Sequence, residues 1–407
     1  MKSKLTKVIG LFKYLKVSIV MLSLGISSLT FAQLDNQPDG ALYEAELLEI
    51  ISSIQVGELE IALDLTEQHL QTYPKSRVGY LIKADLLSSK YSGLSEIGAQ
   101  ASSKSDVLQG LTHQLKNRWR HEALLKPAIS EMLPSSLIDM GKHEHVLVAD
   151  MTNGRLYLYQ NSNNGPTLVK DYYMSVGSEG YGKQVEGDNK TPIGVYSIYQ
   201  YIDPNRLPDL YGAGAFPVDY PNTIDRYRNR TGYGIWLHGT PSDTYARAPW
   251  ASEGCFVLSN ADFNDIARFI DVDERTPVVL SDSINWVSHQ SLVDEGAQYI
   301  KLINTWKDDW QSLDTISYLS HYSKDTFNLA GGNYQQFARQ KTAVNKSKEF
   351  IKVDLEIDSL FVYPGEKDMF VVTFMQRYIS NNYESETRKQ QYWQKQQDGE
   401  WRIIYEG

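Results

Sequence analysis

The chain has 407 residues, more than one hydrophobic core usually organises, so two or three domains are expected. Aromatics make up 12% of it, chiefly through 27 tyrosines, which excludes a disordered chain and favours packed β structure. The net charge of -10 comes without an evident basic patch, so no nucleic-acid partner is expected.

The first 32 residues differ from the rest. Lys2, Lys4, Lys7, Lys13 and Lys16 form a basic head, residues 17–29 are apolar, and Thr30-Phe31-Ala32 offers a small-x-small cleavage site. A membrane span needs about 20 apolar residues, so this stretch predicts an export signal, residues 1–32, rather than an anchor. Its removal takes five lysines and no acid, moving the net charge from -10 to -15. The expected location is the periplasm or the exterior.

Apolar residues at three-and-four spacing predict helices over 41–54, 59–73 and 77–91, with Gly57 and Pro74 as breaks. The first two resemble one tetratricopeptide-type hairpin, without a repeat array. A helical module over residues 33–142 follows, expected to pack on a catalytic domain or to form a dimer with a second subunit. From His145 the period changes to that of strands: 146–150, 155–159, 172–176, 194–198, 235–237 and 277–280. They define a mostly β domain over 143–285. Helices return at 293–310 and 334–341, followed by strands at 350–362, 368–380, 387–396 and 401–405. Helices ahead of an antiparallel sheet predict an α+β cone over 290–407, so the fold class is multidomain α+β.

The single cysteine, Cys255, cannot form an intramolecular disulfide, and it sits in Ser252-Glu253-Gly254-Cys255, seventeen residues after His238. Cysteine acyl transfer needs a base, an oxyanion site and a carbonyl held between them. His238, ending a predicted strand, is the candidate base. Gly239 and Gly254 let backbone approach the reacting centre, and a neighbouring histidine is expected to raise the thiolate fraction above that of a free thiol with pKa about 8.5. Asp188, in Gly187-Asp188-x-x-Thr191-Pro192-x-Gly194, is expected to cap backbone amides. His143 and His145 lack a clear carboxylate or thiol cluster, so they read as solvent-exposed rather than metal ligands. Tyr181, Tyr211 and Trp250 lie in loops and either line a peptide groove or pack.

His238-Gly239-Thr240 with Ser252-x-Gly254-Cys255 resembles the signature of the L,D-transpeptidase (YkuD-type) catalytic domain. The segment 187–194, the 148–159 hairpin, Asp219-Tyr220-Pro221-Asn222 and Asp225-Arg226 extend the likeness to about 140 residues. The resemblance implies a cysteine acyltransferase acting on peptidoglycan stem peptides, with no metal or organic cofactor. Cys255 would be the nucleophile and His238 the proton carrier, with the Gly239 carbonyl orienting the imidazole. The Gly254 and Cys255 amides would form the oxyanion hole, with Ser252 and Thr240 as motif support. Glu253 and Val257 depart from the family pattern, which often has a basic residue and an arginine at those places.

Trp306-Lys307-x-x-Trp310, Tyr318-Leu319-x-x-Tyr322, Val371-Val372-x-Phe374-x-Gln376-x-Tyr378 and Trp401 to Glu406 look like an NTF2-like domain. Such a domain would bind glycan or peptide, or serve packing and dimerisation. The three-part order is similar to peptidoglycan L,D-carboxypeptidases that trim tetrapeptide stems. The main expectation is transfer of the acyl group to an amine of a stem, a protein or a D-amino acid, with transfer to water as its close rival. A non-catalytic wall-binding scaffold is the alternative of another class.

Overall fold

A computed structural model describes residues 41–92, 98, 106–129, 131–329 and 332–407. The expected export signal, residues 1–32, lies outside the described residues. No helix among them is long and apolar enough to cross a membrane.

The helical region starts with Ala41–Gln55, Leu59–Thr72 and Arg77–Ser92. In the first, Tyr43, Leu47, Ile50, Ile51 and Ile54 recur at helical spacing and are buried. Gly57, at φ 84°, supplies the left-handed turn that ends it, and Glu58 donates from its amide to the Ser53 carbonyl at 2.9 Å. The structure adds a fourth helix, Asp106–Arg120, not expected from the pattern. Its buried residues include Gln114 and Arg118, so an apolar stripe alone does not describe the buried side.

The central sheet has five strands in the spatial order Gly165–Tyr173, Arg155–Ser162, His145–Asp150, Pro277–Ser281 and Gly194–Ser197. The third and fourth of these run parallel, with Val148 opposite Val279, and the other pairings are antiparallel. Both faces are covered. Leu147 and Ala149 point into one core with Leu237, Phe256 and Phe263. Val146 and Val148 point into another with Phe361, Val371 and Tyr392 of the C-terminal sheet. A strand buried on both sides has no polar alternation to keep, which explains the unbroken apolar run from Val146 to Ala149.

The strand expected at 172–176 is divided. It ends at Tyr173, and Val176–Gly177 pairs instead with Trp250–Ser252. The Met174 amide still follows the Arg155–Tyr173 register, donating to the Gly154 carbonyl at 2.8 Å, and the backbone leaves that ladder where the Ser175 and Val176 amides turn to the Val257 and Pro249 carbonyls at 2.9 and 2.7 Å.

The C-terminal region packs His289–Gln311 against a six-stranded sheet. Tyr299, Ile303, Trp306 and Trp310 form its buried stripe, against Phe370, Phe374 and Trp393. Ile351–Val362, Met369–Ser380, Tyr383–Lys395 and Trp401–Glu406 pair antiparallel in sequence, while Asn328–Leu329 joins Trp401–Glu406 in parallel. This is the α+β cone expected. It grips the central region through Arg228 and Arg230, both paired with Glu366, and through the Asn222 side-chain amide, which donates to the Tyr363 hydroxyl at 2.8 Å.

Candidate active site

A second, three-stranded sheet carries the sequence motif. Trp236–His238 lies between Ala215–Pro217, antiparallel, and Phe256–Val257, parallel. Phe256 stands opposite Leu237 and Val257 opposite His238. Cys255 therefore comes level with Trp236, and the period-two alternation of strands puts Cys255 and His238 on the same face, diagonal to each other. Residues nineteen apart in sequence meet because parallel pairing sets the register.

His238 is almost completely buried. Its Nδ1 lies 2.7 Å from the Gly239 carbonyl, which can only accept, so Nδ1 carries the proton and Nε2 is left as the acceptor. The Tyr211 ring stands edge-on to the imidazole, 5.0 Å between centroids. Gly239 is glycine because of close approach: a Cβ would clash with Asn260 Oδ1 and come 2.8 Å from the Ala213 nitrogen. Asn260 Oδ1 accepts from the amides of Ala213 at 2.9 Å and Thr240 at 3.0 Å, tying the loop after His238 to the helix Asn260–Ile266. The Thr240 hydroxyl donates to the Thr244 carbonyl at 2.7 Å.

On the cysteine side, Ser252 Oγ donates to the Cys255 carbonyl at 2.6 Å and accepts from the Gly254 amide at 3.1 Å. Gly254 has φ 124°, and a Cβ there would sit 2.9 Å from the Lys190 carbonyl oxygen. The partly accessible thiol lies 3.4 Å from the Gly234 carbonyl, to which it donates. Asp188 caps the neighbouring turn, accepting from the amides of Gln184, Val185 and Lys190 and from Lys183 Nζ at 2.7 Å. Partial burial opposes ionisation, but these donors hold the carboxyl at about 2.

The electrostatics reverse one expectation. Burial pushes the Cys255 thiol up to about 11, with the Trp236 amide opposing, Glu253 adding, and Arg247 and Lys183 opposing. Burial likewise depresses His238 to about 4, against the Gly239 hydrogen bond and with help from the Arg247 guanidinium. The resting pair at neutral pH is thus thiol and neutral imidazole, and the thiolate fraction is not raised. Desolvation outweighs the charge partner that adjacency suggested.

A second correction concerns His143 and His145. His143 is buried, at 5% exposure, beneath the C-terminal sheet, and burial, then Arg388 and Lys142, lower it to about 4. The His145 ring packs 5.2 Å from Phe269 and is half-buried. Neither is solvent-exposed, because the C-terminal domain and a later helix cover them. No group of three His, Cys, Asp or Glu side chains able to hold a metal occurs among the described residues. Trp250 is 47% exposed and meets His113 edge-on, whereas the Tyr181 hydroxyl bonds to Thr152. Sequence reasoning missed Asn260 and Arg247. The Ser259 cap before Asn260 marks a helix start, but nothing local says that its first residue holds the loop after His238.

Residues 144–280 match the family model of the L,D-transpeptidase catalytic domain. They form an L,D-transpeptidase domain. Residues 298–407 match the Cds6 C-terminal NTF2-like domain. No curated protein is significantly similar to the chain. Among solved structures, Bd1075 of Bdellovibrio bacteriovorus is 27% identical with a TM-score of 0.60, over 68% of this chain and 97% of that one. The helical cell shape determining protein Pgp2 of Campylobacter jejuni, as its K307A mutant, is 26% identical with a TM-score of 0.57, over 72% and 98%. Within the L,D-transpeptidase domain, Val257 is buried beside His238 and Glu253 is exposed. Two cations act on the charge of the thiol, Arg247, from the loop between His238 and Trp250, and Lys183.

Proposed function

We propose that the L,D-transpeptidase domain cleaves the L-to-D peptide bond of peptidoglycan tetrapeptide stems through a thioester on Cys255. One observation carries this reading: Cys255 shares a sheet face with a buried His238 whose Nδ1 proton is pinned by Gly239, leaving Nε2 free to take a proton. As Sγ attacks the scissile carbonyl carbon, Nε2 removes the thiol proton and a tetrahedral oxyanion forms. The Cys255 amide is the candidate donor to it, since Ser252 Oγ engages the Gly254 amide. Collapse breaks the C–N bond, and His238 returns its proton to the departing D-amino acid. Starting from a neutral pair, proton transfer accompanies attack rather than preceding it. Gly239 and Thr240 position the base, and Ser252 and Gly254 shape the turn before the nucleophile.

The thioester then passes to water or to an amine. We favour water, which makes the enzyme an L,D-carboxypeptidase leaving tripeptide stems. The support is the layout of helices, L,D-transpeptidase domain and NTF2-like domain, which extends over nearly the whole length of Pgp2, a cell-shape protein. Stem trimming in the envelope would serve such a role. Transfer to an amine is the other fate of the same intermediate. Mass spectrometry of tetrapeptide muropeptides, with and without an added D-amino acid, separates them. Tripeptide formed by wild type and not by Cys255→Ala is expected; cysteine-dependent dimers or D-amino-acid exchange mark transpeptidation, and unchanged tetrapeptide refutes both.

A further inference from the structure

The loop 241–249 leads from the His238 strand to Trp250–Ser252, the short strand that immediately precedes the Cys255 turn, and the helical region holds it. Tyr245 stacks on Tyr43 with centroids 5.2 Å apart and meets Tyr73 edge-on at 5.4 Å. The Tyr173 hydroxyl donates to the Arg247 carbonyl at 3.0 Å. The Tyr173 ring in turn carries the Arg118 guanidinium, 3.9 Å from its centroid, and Glu44 binds both Arg118 and Arg155. The Ser175 hydroxyl fastens the Ala248 carbonyl.

A cavity of about 290 Å³ opens between this loop and the helices. Lys75, Arg77 and Arg247 line it, and none of the three has an ion-pair partner among the described residues. Asp106 and Asp243 face it too, which leaves cations in the majority in a chain of net charge -10. Arg247 is half-buried, so its guanidinium has lost part of its water without gaining a carboxylate. It also lies near enough to act on the charges of both Cys255 and His238.

We propose that this cavity is a carboxylate-binding subsite for the peptide acted on at Cys255, with Arg247 as the specificity-determining cation and Lys75 and Arg77 as its outer wall. The inference rests on the acyl-transfer reading above. The cavity reaches Ala251, four residues before Cys255, and a planar guanidinium lining it takes a carboxylate in two parallel hydrogen bonds.

The test measures kcat and KM of the full chain on a stem tetrapeptide and on versions amidated at one carboxylate each. Arg247→Gln is expected to lower kcat/KM on the free acid about tenfold to a hundredfold, the worth of a charge-assisted hydrogen bond. One amidated peptide should cost wild type a similar factor and cost Arg247→Gln nothing further. Arg247→Lys should recover part of the loss, and Lys75→Gln with Arg77→Gln should raise KM with kcat held. Cysteine-dependent turnover in which Arg247→Gln and every amidation act independently overturns the subsite alone. Absence of Cys255-dependent turnover in wild type overturns the acyl-transfer reading, and the subsite with it.

Discussion

His238 should remain a competent base far into acid. Its pKa of about 4 follows from burial, which removes water from the imidazolium more than the Gly239 carbonyl restores it. At pH 5 a histidine of pKa about 6.5 would be neutral in about 3% of molecules, costing about thirtyfold in kcat/KM. One at about 4 stays neutral in about nine-tenths of them at that pH. With the thiol at about 11, the profile should be flat from about pH 5 across neutrality. The same shift has a stability consequence of defined sign. Between about 6.5 and 4 the unfolded chain binds a proton that folded His238 refuses, so stability is lost as the pH falls. For His238 the loss by pH 4 is about 3 kcal/mol. His143, at about 4, and His121, at about 3, act in the same direction, both chiefly through burial. The assay is therefore tripeptide release at limiting substrate from pH 4.5 to 8 at constant ionic strength, with tryptophan fluorescence reporting the fold at each point. An acid limb centred near 6.5 in folded protein would refute the argument that desolvation governs this site.

Asn260→Ala strips the acceptor from the Ala213 and Thr240 amides and should lower kcat by at least about tenfold, while Asn260→Asp, which keeps an acceptor, should retain more of it. Equal loss in the two would show that the acceptor is not what matters. Gly239→Ala forces a Cβ against Asn260 and Ala213, with an expected cost of about 1–3 kcal/mol in urea unfolding and a larger drop in turnover than in stability. Glu44→Gln removes the charge that holds two buried guanidiniums, Arg118 and Arg155, and should destabilise the docking of the helical region by about 3–5 kcal/mol in denaturant titration. A change below about 1 kcal/mol would mean that the network is solvated rather than structural.

Much of the architecture was legible in local pattern. The first three helices and the long C-terminal strands follow their apolar periods to within a few residues at most boundaries, and the motif from His238 to Cys255 was visible in residue types and spacing. The fourth helix was not, because its buried residues include the polar Gln114 and Arg118, and Arg118 packs against Glu44 and Tyr173 rather than into an apolar seam. The run from Val146 to Ala149 announced a strand, but not that its two faces serve different domains.

By itself the sequence determined which groups exist and how short segments fold, since helix and strand periods and a glycine before a cysteine depend on neighbours within a few residues. Tertiary structure decided what those groups experience. The pairing of Leu237 with Phe256 put Cys255 and His238 on one face, and burial then held both in their neutral forms. It also buried His143, set Asn260 against Gly239, and put Arg247 on the wall of a cavity shared with the helical region. Each of these depends on which distant segments exclude water from a side chain, a long-range property that no local window carries.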